Sequence, residues 1–338
     1  MWKNIWVKNG ELLFLKVDIA SQDLFLIVIL KKMISTIDKK NILIKQTKRG
    51  FSLMELSIVL LIISFLVFAV MQGGEVVRRA KVTAAARITK SSVVSKIDNL
   101  MLWYETTMPN SIDNKESANN AAVNIWKDIS DTKTTTNDAN APTSTQAPLY
   151  IASAINGLPV LRFDGTDDFM NLNGTFLVNT NYTIFVVEQR RNSKTNNWIM
   201  GGTGADAFKN FGLAYITDTS FICKHNEEEK ATKVADDNIT YTVSAYSAPK
   251  PIIHSITFNS NLGRVAYDNG VQKSSINSAA AKTPLSSNLG QTIGSYPVGT
   301  SYFNGDIAEI IMFTRTLSTQ ERKDVEEYLG KKWGIAIS

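Results

Sequence analysis

The sequence predicts an α+β protein in which a long N-terminal hydrophobic helix is followed by an antiparallel β-sandwich and a C-terminal helix. Three observations carry this. Residues 51–71, FSLMELSIVLLIISFLVFAVM, are an apolar run with a single charge, Glu55. From residue 158 onward, short runs rich in β-branched and aromatic residues recur between turn signals, the pattern of a sandwich. Near the end, Ser318-Thr319-Gln320-Glu321 has the form of a capping box ahead of an amphipathic segment.

With 338 residues, the chain has room for about two domains of roughly 150 residues. Its 44% hydrophobic and 20% charged residues are ordinary globular composition. One cysteine, Cys223, excludes a disulfide framework, and it reads as a small buried hydrophobe. Together with His225 and His254 it falls short of a four-ligand zinc cluster, and the three lie too close in sequence to suggest a catalytic triad.

The net charge of +5 would ordinarily point to nucleic acid, but its distribution decides otherwise. Residues 1–50 hold ten Lys/Arg against four Asp/Glu, and from Phe51 onward 26 basic residues face 27 acidic ones. The basicity belongs to the N-terminal segment, and no nucleic-acid partner is expected.

As a helix, residues 51–71 would span about 30 Å, the thickness of a bilayer core. Lys45, Lys48 and Arg49 precede the run directly, so the positive-inside rule places the N-terminus in the cytoplasm and everything after Met71 across the membrane. Beyond Met71, apolar residues recur at spacings of three and four with no proline before Pro109, which predicts one helix from Ser52 to Asn99. Gly73-Gly74 is the expected place for a bend. Residues 131–148, DTKTTTNDANAPTSTQAP, read as a long exposed loop.

Strands are expected at 158–163, 183–189, 211–216, 252–258, 263–270 and 307–313. Asp268-Asn269-Gly270 is a hairpin signal, because Asn and Gly tolerate the positive φ of a type I′ turn. The last helix is expected to run to Lys331 with Val325, Tyr328, Leu329 and Trp333 facing inward.

Lys48-Arg49-Gly50-Phe51-Ser52-Leu53-Met54-Glu55, followed by the apolar run, resembles the class III signal of type IV prepilins and type II secretion pseudopilins. The resemblance implies that a prepilin peptidase cuts between Gly50 and Phe51 and methylates the new Phe51 amine. It also implies that Glu55 is the retained acid of assembly, with other pilin or pseudopilin subunits as partners. A carboxylate within a bilayer costs roughly 2.5–3.5 kcal/mol on insertion scales, so Glu55 needs a partner, and the Phe51 amine of a neighbouring subunit would serve. Two features depart from the family. Residue 72 is Gln where proline is common, and the leader is long. Met33 would begin a leader of the usual length, which makes residues 1–32 either an over-extended gene start or a cytoplasmic extension.

From Leu100 the chain resembles the concanavalin A-like, laminin-G type jelly roll of bacterial surface proteins. The likeness lies in Leu102-Trp103, Trp126-Lys127-Asp128, residues 155–159 (INGLP), residues 162–165 (RFDG), residues 185–187 (FVV) and residues 303–310 (FNGDIAEI), and it ends at residues 332–335 (KWGI). Such domains bind carbohydrates or proteins, so a glycan or a surface protein is the expected partner of the sandwich. The hydrolases of this fold carry a Glu-x-Asp-x-x-Glu strand, which is missing here, and no enzymatic activity is expected. Asp164, Asp167 and Asp168 could offer oxygens to Ca²⁺, but Asp-Gly with Asp-Asp is also turn chemistry, and no cofactor is assigned. Glu227-Glu228-Glu229 reads as a solvated loop. Trp198, Tyr215 and Tyr302 are either sugar-stacking or core aromatics.

The organisation expected is therefore a cytoplasmic leader over 1–50, a transmembrane and assembly helix over 51–99, and a sandwich over 100–338. The protein would sit in a bacterial inner membrane, with its C-terminal domain periplasmic or on an extracellular filament.

Overall fold

The computed structural model describes residues 7–8, 11–12, 52–130, 137–202, 210–226, 238–285, 290–296 and 301–338. The chain divides into two compact units, Met1–Phe68 and Ala69–Ser338.

In the first unit, β1 (Val7–Lys8) pairs antiparallel with β2 (Glu11–Leu12). The apolar run begins helix α1 (Leu53–Lys90). Over residues 53–68 its large side chains are exposed, from Leu53 at 87% to Phe68 at 60%. The helix is long and apolar enough to cross a membrane.

Helix α1 runs through Gly73-Gly74 without interruption and stops at Lys90, nine residues short of the expected Asn99. The reason is local. The hydroxyl of Ser91 bonds back to the carbonyls of Arg87 (3.0 Å) and Ile88 (3.3 Å), and the Ser92 amide takes the tighter i−3 bond to Thr89. A 3₁₀ turn, Val94–Lys96, follows, and Asn99 at φ 64° turns the chain into the sandwich.

The strands follow as β3 (Leu100–Glu105), β4 (Ala121–Ala122), β5 (Ile125–Trp126), β6 (Ala139–Asn140) and β7 (Leu149–Ile151). Next come β8 (Val160–Asp164), β9 (Met170–Leu172), β10 (Tyr182–Arg190), β11 (Asn197–Gly202) and β12 (Asn210–Thr217). Then β13 (Ser220–Asn226), β14 (Ile239–Thr242), β15 (Ile252–Asn259), β16 (Gly263–Asp268), β17 (Val271–Ile276), β18 (Gln291–Ile293) and β19 (Asn304–Phe313) precede helix α2 (Thr319–Trp333).

Two antiparallel sheets result. The first runs β17-β16-β15-β10-β19-β8-β7-β4, with β3 also on β19, and the second runs β14-β13-β12-β11-β18-β9-β6-β5. Strand β19 is the hub: its start pairs with β8, its end with β3, and its other edge with β10.

The inner faces of the sheets share one core, to which Ile184, Val186, Ile256 and Met312 contribute from the first and Met200, Leu213, Phe221 and Cys223 from the second. The outer face of the first sheet carries another, where Phe185, Val187, Ile311 and Phe313 meet Val325, Leu329 and Trp333 of α2 and Ala85 of α1. Strand residues alternate between these two cores, as the two-residue period of a strand requires.

The six expected strands are present, and Asn269 (φ 49°) and Gly270 (φ 83°) form the predicted turn between β16 and β17. The capping box also forms. The Ser318 hydroxyl accepts from the Glu321 amide, and Glu321 accepts from the Ser318 amide at 2.8 Å. The expected inner face of α2 is buried. Of the loop expected over 131–148, residues 142–145 are exposed and outside any strand or helix, as expected, but residues 137–140 need correction. Ala139 lies in the core, the Tyr104 hydroxyl donates to the Asn137 carbonyl, and Asp138 accepts from the Asp128 amide, so this stretch is fastened into the fold. Residues 131–136 lie outside the described residues.

Candidate functional site

Gly50 and Phe51 lie outside the described residues. Glu55 sits in the first turn of α1, where its carboxylate accepts from the Ser52 amide at 3.0 Å while the Ser52 hydroxyl accepts from the Met54 amide at 3.2 Å. In this chain Glu55 therefore caps its own helix, a contact favoured by the positive end of the helix dipole. The sequence carried the signal, since Ser52-x-x-Glu55 is itself a capping-box pattern.

The C-terminal part of α1 is anchored differently. Ala85 and Thr89 are buried, and the Thr89 hydroxyl meets the Tyr328 hydroxyl at 3.2 Å. Tyr328 donates in turn to Glu309 at 2.6 Å. Glu309 also accepts from the indole N–H groups of Trp103 and Trp333, each at 2.7 Å, and from Lys332 at 2.9 Å. Lys332 reaches Glu105 at 2.7 Å, and Glu105 accepts further from the amide and hydroxyl of Thr107. Burial lowers the Lys332 pKa, but the two carboxylates outweigh it and the net shift is upward. Each carboxylate here has several donors, so this network is closed.

A second buried network lies on the opposite face of the same sheet. His254 donates to Asp268 from Nδ1 (2.7 Å) and to Glu188 from Nε2 (3.1 Å). With an acceptor on each ring nitrogen, the ring is an imidazolium. Burial pulls its pKa down, but the charge of Asp268 and the bonds to Asp268 and Glu188 raise it to about 9. Tyr241 donates to Asp268 at 2.7 Å, and Tyr215 donates to Glu188 at 2.6 Å.

This network floors an open cleft of about 590 Å³ between the ends of β14 and the β16–β17 hairpin. Tyr215, Asp268 and Arg190 line its floor, with Tyr246, Lys250 and Lys273 around them. The guanidinium of Arg190 lies over the ring of Tyr215 at 4.4 Å and bonds Asp218 (2.9 Å) and the Ser244 carbonyl (2.5 Å). Neither network was predicted from sequence. A usable signal was present, because Glu188 and Glu309 each interrupt an apolar strand, and a carboxylate buried there demands a cation or several donors.

The remaining expected residues separate. His225 is neutral and structural. Its Nε2–H donates to the Thr283 carbonyl at 2.9 Å, so Nδ1 accepts from Tyr182 at 2.7 Å, and burial with the nearby Arg264 charge pushes its pKa down to about 3. Cys223 is fully buried, which pushes its thiol up to about 12, as expected of a core hydrophobe. Tyr215 is core, Trp198 is buried and packed against Tyr296 with ring centroids 4.1 Å apart and planes tilted by 31°, and Tyr302 is half-buried. Glu227-Glu228-Glu229 lies outside the described residues.

Carboxylate oxygens of Asp164, Asp167 and Asp168 come within 4.8 Å of one another. Asp164 nevertheless accepts from the amides of Thr166 and Asp167, Asp168 accepts from the Asp164 amide, and the Lys194 ammonium binds the Gly165 carbonyl beside them. These bonds are those of a turn, and they give the group a structural role.

No protein-family model matches the chain, and no curated protein gives a significant match. Among solved structures, the chain is similar to a sialidase of Trypanosoma rangeli in complex with sialic acid, with 14% identity and a TM-score of 0.48 over 72% of this chain and 35% of that one. It is also similar to the binding domain of botulinum neurotoxin serotype D, with 15% identity and a TM-score of 0.48 over 71% of this chain and 53% of that one. A third similarity is to the binding domain of botulinum neurotoxin DC in complex with rat synaptotagmin II, at 13% identity and a TM-score of 0.47. The chain thus spans between a third and about half of the length of these proteins.

Proposed function

We propose that this chain is a prepilin-like subunit. A prepilin peptidase cuts it between Gly50 and Phe51 and methylates Phe51. It then assembles through residues 51–99 into a type IV pilus or type II secretion pseudopilus, displaying a concanavalin A-like, laminin-G type sandwich outside the inner membrane. The observation that carries the reading is the conjunction of the 48–55 signal with a helix whose first part exposes its large apolar side chains, with Glu55, Ser57 and Ser64 bonded within the helix, and whose last part is packed on the sandwich. A helix apolar all round is at home in lipid or among other such helices. In this reading Glu55 exchanges its own helix cap for the Phe51 amine of a neighbouring subunit once cleavage has created that amine. Glu55→Ala should leave cleavage largely intact and abolish incorporation into filaments. Normal incorporation of the variant would refute the role.

A second reading is favoured by the cleft floored by the Glu188–His254–Asp268 network. In it, the sandwich is a membrane-anchored surface module that recognises a carbohydrate or a protein, and the helix is its carrier.

A further inference from the structure

The cleft between β14 and the β16–β17 hairpin has a charge balance that selects among ligands. Asp268 engages the His254 imidazolium and the Tyr241 hydroxyl through one oxygen, Oδ1, and its carboxylate also lines the cleft, where the Lys273 charge acts on it. Arg190 is held by Asp218 and by the Ser244 carbonyl. Lys250 and Lys273 are exposed, and neither reaches ion-pair distance of a carboxylate among the described residues. Glu188 and Asp268 share the single imidazolium charge and Asp218 balances Arg190, so with Lys250 and Lys273 the cleft and its floor carry a net charge of +1, and the exposed positive groups are the two ammonium groups at the cleft wall.

The rest of the lining suits a polyhydroxylated ring. Thr242 and Ser244 offer hydroxyls, Asn269 offers its side-chain Nδ2 amide while its backbone groups and Oδ1 bond Ile253 and Ser338, and Tyr246 offers an aromatic face beside the Arg190 guanidinium, 5.8 Å from its ring centre. A cleft of about 590 Å³ falls within the roughly 300–1,000 Å³ range of small-ligand sites. Its floor is pre-organised, because each floor group has a second partner behind it: Glu188 holds Tyr215, His254 holds Asp268, and Asp218 holds Arg190.

From this we propose that the cleft binds an acidic saccharide, with Lys250 and Lys273 taking its carboxylate and the tyrosine and hydroxyl lining taking the ring. This deepens the surface-module reading and rests on it. It uses none of the residues of prepilin processing, so the fate of that reading is measured separately at Phe51.

The test is calorimetric titration of the detergent-solubilised full chain with trigalacturonate and with sialyllactose, which present a carboxylate on two different sugars. Neutral maltotriose and triglutamate are the controls. At least one acidic sugar should bind at least tenfold more tightly than maltotriose and triglutamate, and its affinity should fall as salt rises. The double variant Lys250→Ala/Lys273→Ala, both exposed positions, should keep the circular dichroism of the native chain and lose at least tenfold in affinity. Failure of both acidic sugars to bind overturns the proposal. So does equal binding of maltotriose, tighter binding of triglutamate, which would indicate a peptide partner, or undiminished binding by the double variant. In the last case the sandwich remains a binding module, but its site lies elsewhere.

Discussion

Helix α1 is one continuous element whose two ends meet different surroundings. From Leu53 to Phe68 its large apolar side chains lie open, and Glu55 there finds its partner within its own first turn. From Val82 to Thr89 the buried positions are small or β-branched, and Thr89 joins a charged network that runs through Tyr328, Glu309, Lys332 and Glu105. Among the described residues nothing covers the first stretch, whereas the second has its partners within the sandwich. Substitutions in the first should alter where the protein resides, and substitutions in the second should alter whether the sandwich holds together.

The largest effect expected is at Lys332. Lys332→Met leaves Glu105 and Glu309 buried without their cation, and removing one member of a buried ion pair costs about 3–5 kcal/mol. Denaturant unfolding of the full chain in detergent should show this loss, and a variant of native stability would break the contrast. In the open stretch, Ile62→Arg should lower membrane insertion by about 3 kcal/mol, read as the membrane-bound fraction. The same change should leave unfolding of the sandwich unaltered, and a coupled loss would show that the two stretches are not independent.

A smaller effect, up to about 3 kcal/mol, separates the two buried networks by pH. The folded-state pKa of His254, about 9, exceeds its ordinary value of 6.5, so its stabilisation is complete below about 6.5 and is lost as pH rises through 9. Asp268 is held below its ordinary 3.8: although burial raises it, the His254 charge and the bonds from His254 and Tyr241 outweigh this, so its contribution disappears only at acid pH. Lys332, raised above 10.5, keeps its charge throughout. Stability should therefore hold between about pH 4 and 6.5 and decline toward pH 9. A flat profile over 6.5–9 would contradict the imidazolium assignment. The smallest effect is expected of Thr89→Val, which removes one buried hydroxyl, bonded to the Ala85 carbonyl and the Tyr328 hydroxyl, and should cost about 1 kcal/mol in the same unfolding assay.

The sequence showed the elements whose periodicity is local. The apolar stretch of α1, the six longer runs of β-branched residues, the Asn269-Gly270 turn and the Ser318 capping box each depend on neighbours a few residues away. The short strands β4 to β7 have two or three residues each, too few to establish a period. The end of α1 was misplaced because the hydroxyls of Ser91 and Thr89 compete for helix carbonyls, which an apolar pattern does not register. Both buried networks were hidden for a topological reason. Lys332 meets Glu105 across 227 positions, and Glu188 meets His254 across 66, and only the sheet order brings them together. Arg322, Glu326 and Lys332 of α2 are charged and nevertheless buried, which the expected inward set of Val325, Tyr328, Leu329 and Trp333 does not include.

The central claim is that the open half of α1 becomes the N-terminus of a processed and assembled subunit. Mass spectrometry of the mature chain, purified from cells that carry a prepilin peptidase, tests it most directly. The account predicts a chain that begins at Phe51 with one methyl group on its amine. A mature chain that still carries Lys48-Arg49-Gly50 in such cells would contradict it.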